Sequence, residues 1–165
     1  MTIAAQVKSQ SSVAEHSSEV VNIPDKYLLN AMLEQGDQNG DGRLTTEELK
    51  SVKEIYISDA DKNEIDFTGI EYATNLKYVY INNAKKLNHT EELKQLTKIE
   101  RLTVTGVADN DIENIVKMES LTDLDISGSF KNINGLEQLK KLEYLRLKSD
   151  ELEDIQTLKN LDNLD

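Results

Sequence analysis

Cysteine and tryptophan are absent from this chain of 165 residues, which has one proline and two phenylalanines. Without cysteine, the chain forms neither a disulfide framework nor a thiolate metal site. The lack of thiols suits the cytosol and an exported protein equally well. Because large aromatic side chains are scarce, any core has to be built from many leucine, isoleucine and valine residues, which provide most of the 38% hydrophobic content.

Positive charge and long apolar runs are also scarce. The formal net charge is −12, and phosphate binding needs a basic face, so nucleic acid is disfavoured as a partner. No stretch approaches the roughly 20 apolar residues that a membrane span requires, and no apolar segment follows Met1 as in a signal peptide. We therefore expect a chain that binds no nucleic acid and inserts into no membrane.

Catalytic signatures are missing as well. The two histidines, His16 and His89, have no partnered nucleophile near them in the sequence. No nucleophile-elbow, zinc-protease or phosphate-binding glycine pattern occurs. The sequence therefore predicts a binding protein with no catalytic residue, and not an enzyme.

The composition divides the chain into three regions. Residues 1–20 are rich in serine and show no period, which predicts a flexible linker. Residues 21–51 predict a helical cap, in which Pro24 suits the first position of a helix, Asp25 adds a favourable charge to its first turn, and Gly36 closes it. Residues 52–165 are repetitive. Because the last repeat breaks off, we interpret the sequence as part of a longer protein.

Five segments of the repetitive region share the pattern apolar-x-x-apolar-x-apolar, and a sixth begins at Leu164. The five begin at Val52, Leu76, Ile99, Leu121 and Leu142, so the repeat length is about 22 residues. A single repeat cannot bury its own apolar side chains, whereas stacked repeats share one continuous core. The pattern therefore predicts short strands lying side by side.

Between these segments, apolar residues recur at every third position, as in Ile133, Leu136 and Leu139. An α-helix mixes spacings of three and four, whereas a strict spacing of three suits 3₁₀ turns or extended arcs. A short strand followed by such an arc, repeated every 20–29 residues, is the leucine-rich-repeat unit.

Residues 37–48, DQNGDGRLTTEE, fit the EF-hand calcium loop at each diagnostic position. Such a loop presents alternating carboxylate and amide oxygens, a glycine at its sharp turn, and a bidentate glutamate. The predicted ligands are Asp37, Asn39, Asp41, the backbone carbonyl of Arg43, Thr45 and Glu48. Regulatory EF-hands come in pairs and one loop is present here, so Ca²⁺ is predicted to lock the cap. A metal-free remnant and a dockerin-type module are the alternatives.

The segment VNIPDKYLLNAM (residues 21–32) and the run IDFTGIEYATNLKYVYI (residues 65–81) resemble the internalin family of bacterial surface proteins, as does the repeat length. The resemblance covers about residues 21–165. It implies an α/β solenoid with parallel strands on its concave face, a cap like a truncated EF-hand, and recognition of host or matrix macromolecules. The turn position that carries asparagine in that family holds Ala60, Ala84, Val107, Ser129 and Asp150 here.

Aligned repeats place the residues between the apolar strand positions in three columns on the exposed face. The columns are Glu54, Tyr78, Arg101, Asp123 and Tyr144; Tyr56, Tyr80, Thr103, Asp125 and Arg146; and Ser58, Asn82, Thr105, Ser127 and Lys148. Tyrosine and arginine dominate binding hot spots. The predicted partner-binding residues are therefore Tyr56, Tyr78, Tyr80, Arg101, Tyr144 and Arg146. Ordinary cross-strand packing of tyrosine is the alternative.

These patterns together predict a calcium-stabilised leucine-rich-repeat module for macromolecular recognition or adhesion. The resemblance implies an extracellular place, at the bacterial cell surface or secreted, with a host or extracellular-matrix protein or glycan as partner. One alternative is a structural cap or spacer segment of a larger surface protein whose binding face lies elsewhere. Another is a calcium-responsive intracellular regulator, which a single loop disfavours.

Overall fold

The structure, a computed structural model, describes residues 18–61, 63–153, 155–161 and 164. The predicted linker, residues 1–20, lies outside the described residues except for its last three positions. The described chain begins with a cap of two helices, α1 (Lys26–Gly36) and α2 (Thr46–Leu49). Within the described part of the chain, no helix is long and apolar enough to span a membrane.

The rest of the chain is built around a main sheet of five strands. These are β1 (Glu54–Ile57), β3 (Tyr78–Ile81), β5 (Arg101–Ala108), β6 (Asp123–Ser129) and β7 (Tyr144–Ser149). They pair in parallel in the order β1, β3, β5, β6, β7. Each strand holds one of the apolar segments seen in the sequence, and equivalent residues of neighbouring repeats lie opposite each other, as Ile55 does to Val79. The strand register therefore confirms the alignment of the repeats that the sequence predicted.

A second sheet consists of two short parallel strands, β2 (Glu64–Asp66) and β4 (Lys86–Asn88). It forms where the first two repeats turn away from the main sheet. Three residues are too few to show a period of two, so the sequence did not predict these strands.

The interior of the stacked repeats is one continuous apolar core. Along the strands, buried residues alternate with exposed or half-buried ones, so every second side chain points inward. Leu102 and Leu124 are fully buried in neighbouring repeats, and Phe67 and Phe130 fill the arcs with the largest buried side chains. A fully buried leucine or isoleucine contributes roughly 1.5–3 kcal/mol, which explains why the apolar positions recur in every repeat.

The return segments between strands are mostly 3₁₀ helices, as the spacing of three predicted. Their bounds are Ile70–Tyr72, Thr90–Gln95, Leu136–Gln138 and Gln156–Asn160. One return segment differs, because α3 (Asp109–Ile115) is an α-helix. The prediction of a 3₁₀ turn or extended arc is wrong for this segment, because a spacing of three between Ile112 and Ile115 alone also fits an α-helix.

A buried carboxylate accompanies the start of α3. Asp111 is 1% exposed and accepts hydrogen bonds from the backbone N–H of Ala108 and from Thr90 Oγ1, both at 2.8 Å. Burial raises the pKa of Asp111, and the two hydrogen bonds oppose that rise. These contacts fix the start of α3 against the preceding return segment.

Hydroxyl groups replace the missing asparagines in two of the turns. Thr105 Oγ1 accepts the backbone N–H of Ala84 at 2.7 Å and lies 3.3 Å from its carbonyl oxygen. Ser149 Oγ bonds the backbone N–H and carbonyl of Phe130 at 3.2 and 2.7 Å. A hydroxyl both donates and accepts, so one side chain satisfies both backbone groups of the turn in the preceding repeat.

The helix α1 begins at Lys26, two residues later than the predicted first position, Pro24. Asp25 is its N-cap and not a first-turn residue, and Oδ1 accepts the backbone N–H groups of Tyr27 and Leu28 at 2.8 and 2.9 Å. Pro24 therefore precedes the helix. The other carboxylate oxygen of Asp25 accepts the backbone N–H of Asp66 at 3.0 Å. One carboxylate thus caps α1 and attaches it to the first return segment.

Candidate functional site

The loop between α1 and α2 is organised by its own side chains. The carboxylate of Asp37 accepts the backbone N–H groups of Gly40, Asp41 and Gly42 at 2.9, 3.1 and 3.0 Å. Asn39 Oδ1 accepts the N–H of Asp41 at 2.8 Å. Gly40 and Gly42 both have φ of 74°, a conformation that glycine adopts without strain. The sequence therefore folds here into a tight turn with several oxygen-bearing side chains.

Glu48 stands at the end of this loop, in the capping box of α2. Its Oε2 accepts the backbone N–H and the hydroxyl of Thr45 at 3.0 and 2.8 Å, while Thr45 Oγ1 accepts the N–H of Glu48 at 3.3 Å. Among the described residues, no three carboxylate or histidine side chains gather into a group that holds a metal ion. The loop is thus a tight turn whose carboxylates are engaged with nearby donors.

A short segment that we call the strap, residues 19–23, pairs with the exit of this loop. The N–H of Val21 donates to the carbonyl of Leu44 at 2.8 Å, and the N–H of Thr46 donates to the carbonyl of Glu19 at 3.0 Å. Val20 and Thr45 form an antiparallel bridge. The strap is therefore attached to the loop exit by backbone pairing.

The strap also packs on the first return segment. Ile23 is 6% exposed, and a Cβ added to Gly69 would lie 2.8 Å from its Cγ1. Gly69 has φ of 94°, so glycine is favoured there by backbone conformation as well as by space. The strap therefore connects the loop on one side with the repeats on the other.

One face of the main sheet displays the first two predicted columns, and we call it the concave face after the term used for the predicted solenoid. The register sets equivalent residues of the columns side by side on neighbouring strands. Neighbouring strands lie about 4.8 Å apart, so side chains of adjacent repeats are within contact distance. The face is one continuous surface, with Tyr56 and Tyr144 on opposite edge strands roughly 19 Å apart by four such spacings.

Three tyrosines form what we call the aromatic half of this face: Tyr56, Tyr78 and Tyr80. The rings of Tyr56 and Tyr80 stack with centroids 4.8 Å apart and planes at 15°. Tyr56 is 66% exposed and Tyr78 is 38% exposed. The guanidinium of Arg101 lies 5.9 Å from the centroid of the Tyr78 ring. The fold thus brings four of the six predicted binding residues together.

The two remaining predicted residues, Tyr144 and Arg146, lie on the last described strand, and both predicted arginines form ion pairs across the later strands. Arg101 Nη2 is 3.3 Å from Asp123 Oδ1 and Arg146 Nη1 is 3.8 Å from Asp125 Oδ2, while Tyr144 is 50% exposed. Both arginine side chains are more than half exposed, and exposed pairs of this kind add little stability. A partner that offers a carboxylate can therefore compete for them.

A polar trough of about 790 Å³ runs beside the concave face, at the carboxyl ends of the strands. It contains the third column and the turns that follow it, including Asp59, Asn83 and Lys85. Sequence alignment placed the third column but did not identify the trough. Hydrophilic turn residues carry no periodic signal, so only the stacking of the turns reveals the concavity.

A histidine–carboxylate pair lies at the junction of the first two repeats. His89 Nδ1 lies 2.8 Å from Asp66 Oδ1. That hydrogen bond and the charge of Asp66 raise the pKa of His89. Burial opposes the ionisation of Asp66, yet hydrogen bonds from Thr68 and His89 hold its pKa below the usual value.

We expect this pair to stabilise the fold in acid more than in base. Because the folded pKa of His89 is raised, its contribution is complete below the unfolded pKa of about 6.5 and disappears as pH rises through the folded pKa. His89→Asn keeps the left-handed backbone, φ 54°, which asparagine tolerates. Urea midpoints should therefore favour the wild type over this variant at pH 5 and converge by pH 9. A gap that stays constant with pH would contradict the charge argument.

The parallel strands, the 3₁₀ return segments and the shared core define a leucine-rich-repeat solenoid. No protein-family model and no curated protein matches the sequence. Among solved structures, internalin C2 of Listeria monocytogenes is similar with a TM-score of 0.60 at 22% identity, over 86% of this chain and 72% of that chain. The Listeria monocytogenes internalin InlF is similar with a TM-score of 0.57 at 19% identity, over 86% of this chain and 48% of that chain.

At these identities the likeness establishes the fold, which is an internalin-like leucine-rich-repeat fold. The chain spans about half the length of the InlF chain. The predicted fold class is thereby confirmed at the level of the repeats, and the calcium-loaded cap remains a prediction.

Proposed function

We propose that this chain recognises a macromolecule with the concave face of its repeats, at the bacterial cell surface or after secretion. The observation that carries the proposal is the row of exposed tyrosine and arginine side chains that the register aligns on that face. A host or extracellular-matrix protein or glycan is the proposed partner. The open sheet face suits binding, so we infer a recognition module and not an enzyme.

The stacked tyrosines support binding as well as packing. Cross-strand stacking of Tyr56 on Tyr80 holds both rings in one orientation before any partner arrives. Large amphipathic side chains that are already ordered lose little conformational entropy on binding. An exposure of 66% for Tyr56 leaves most of its surface for a partner. The cross-strand packing interpretation therefore accounts for the stack but not for the exposed area.

Binding to purified matrix macromolecules tests this proposal. Immobilised collagen, fibronectin, laminin and mucin are each titrated with the wild-type chain, and the double variant Tyr56→Ala/Tyr80→Ala is compared by biolayer interferometry. We expect saturable binding to at least one of them, weakened about 30-fold or more by the double variant, since hot-spot truncations cost 2 kcal/mol or more.

Tyr72→Ala is the matched control, because Tyr72 is 43% exposed but lies on a return segment and not on the concave face. It should bind like the wild type. No saturable binding to any of the four, or equal loss in both variants, would exclude recognition by this face.

We further propose that Ca²⁺ occupies the loop of residues 37–48 and stabilises the cap. Asp37, Asn39, Asp41, the carbonyl of Arg43, Thr45 and Glu48 would hold the ion. The tight turn supports this proposal, because each carboxylate or amide oxygen that accepts one backbone N–H retains a lone pair. The capping box also supports it, since it places Glu48 at the loop end with Oε2 engaged by Thr45. Calcium prefers six to eight such oxygen ligands.

A structural spacer in a larger surface protein is the second candidate function. Leu145 and Leu147 in β7 are half-buried, whereas their equivalents Leu124 and Ile126 in β6 are fully buried. The apolar face of this last described strand is thus able to stack against a further repeat. The spacer interpretation predicts that no concave-face substitution alters binding of the chain to any macromolecule.

A further inference from the structure

The trough beside the concave face lies next to the aromatic half. Ser58 follows Tyr56 by two positions and Asn82 follows Tyr80 by two, and both belong to the trough lining. Residues two apart on a strand share a face. The stacked rings and the trough are therefore parts of one surface, with an aromatic platform at one side and a polar depression at the other.

The lining of the trough offers hydrogen-bonding groups that the protein itself does not use. Within the described residues, the side chains of Ser58, Asn82 and Ser127 have no protein hydrogen-bond partner. Asp59 Oδ1 accepts Asn83 Nδ2 at 2.7 Å and the N–H of Asp61 at 2.8 Å. Its second oxygen and the amide oxygen of Asn83 remain available as acceptors.

The floor of the trough is fixed by closely stacked turns. A Cβ added to Gly106 would lie 2.8 Å from the backbone nitrogen of Lys86 and 2.9 Å from the carbonyl oxygen of Ala84. The paired hydrogen bonds between Thr105 and Ala84 hold the same turns together. A ligand therefore meets a polar surface that needs little reorganisation, which lowers the cost of binding.

We propose that the trough binds a neutral oligosaccharide whose outer sugar ring stacks on Tyr56. This proposal rests on the recognition function proposed above and names the class of its ligand. Sugar hydroxyls both donate and accept hydrogen bonds, which matches a lining that mixes serine, asparagine, carboxylate and ammonium groups. The C–H face of a pyranose ring suits the electron-rich face of a tyrosine.

Two observations favour a neutral sugar chain over other ligands. The formal charge of −12 repels polyanions such as sulfated polysaccharides, even though Lys85 and Lys148 line the trough. Protein hot spots are enriched in tryptophan, tyrosine and arginine, and serine and threonine are under-represented in them. The small hydroxyl side chains of the trough are therefore better suited to a hydroxyl-rich ligand than to a protein surface.

Calorimetric titration of the whole chain with chitotetraose, cellotetraose and maltotetraose tests the proposal, with a heparin tetrasaccharide as the anionic arm. We expect at least one neutral tetrasaccharide to bind and Asn82→Ala/Ser127→Ala to weaken its binding by about tenfold, as loss of two neutral hydrogen bonds implies. Asn134→Ala, an exposed asparagine in the turn before the third 3₁₀ helix, should leave the affinity unchanged.

Three outcomes would overturn the inference: no binding of any neutral tetrasaccharide, binding of the heparin tetrasaccharide alone, or equal affinity in the wild type and the trough variant. Circular dichroism should show the wild-type fold for these variants, because Asn82 and Asn134 are exposed and Ser127 is half-buried. If the tetrasaccharides fail while a matrix protein still binds through Tyr56 and Tyr80, the saccharide inference is wrong and the recognition function stands. If neither the matrix macromolecules nor the tetrasaccharides bind, the recognition function and the saccharide inference are both wrong.

Discussion

Saturating calcium should raise the unfolding midpoint of the wild-type chain by about 5–10 °C over the same protein in chelator. A ligand at 100 times its dissociation constant stabilises the folded state by about 2.7 kcal/mol, and each kcal/mol shifts the midpoint of a chain of this size by about 2–4 °C. The ion would pin the loop between α1 and α2, and through the strap it would hold the cap on the repeats. Thermal unfolding followed by circular dichroism measures the shift.

Glu48→Gln is the matched variant for this experiment. Glutamine still serves the capping box, because its side-chain carbonyl accepts the Thr45 N–H as the carboxylate does. It loses the negative charge and the bidentate carboxylate that calcium requires. The variant should therefore unfold like the wild type in chelator and show little further stabilisation by calcium. An equal calcium shift in both proteins, or none in the wild type, would refute calcium binding by this loop.

Leu124→Ala should destabilise the fold by about 2–5 kcal/mol, a large part of the 5–15 kcal/mol that holds a typical domain together. Leu124 is fully buried in β6 and lies between Leu102 of β5 and Leu145 of β7. Truncation therefore removes apolar contacts and leaves a cavity between two repeat interfaces. Urea unfolding at fixed calcium concentration gives the free energy.

Leu145→Ala provides the comparison at the equivalent position of the next repeat. Leu145 is half-buried in β7, and solvent fills part of the space left by truncation, so we expect a cost of about 1–2 kcal/mol. Equal costs at the two positions would contradict the description of β7 as the less enclosed strand. If Leu124→Ala costs more than twice as much free energy of unfolding as Leu145→Ala, the result would support the view that neighbouring repeats stabilise each other.

The repeat architecture was predictable because the same physical requirement recurs five times. Every repeat directs three apolar side chains toward the core, one just before its strand and two on it, and chance would not place this pattern in register five times. Local features were less predictable. The spacing of Ile112 and Ile115 fits an α-helix or a 3₁₀ arc, and the structure has the α-helix α3.

The candidate sites were predictable where residues close together in the sequence, or one repeat apart, carry the pattern. The loop of residues 37–48 carries its own pattern, and the tyrosine columns follow from the repeat period. The pairing of the strap with the loop exit was not predictable, because Val20 and Thr45 are 25 positions apart and no period joins them. The columns also place Arg101 beside Asp123 and Asp125 beside Arg146, and the register of the strands brings each pair within ion-pair distance.

The proposed recognition function gives the strap a mechanical consequence. Because Glu19 and Val21 are bonded to the loop exit, tension transmitted from upstream residues reaches this pairing before it reaches the repeats. The backbone bonds at Leu44 and Thr46 would bear the load first, and a cation in the adjoining loop would stiffen their anchorage. The cap would then yield at forces that depend on calcium, while the stacked repeats stay folded behind it.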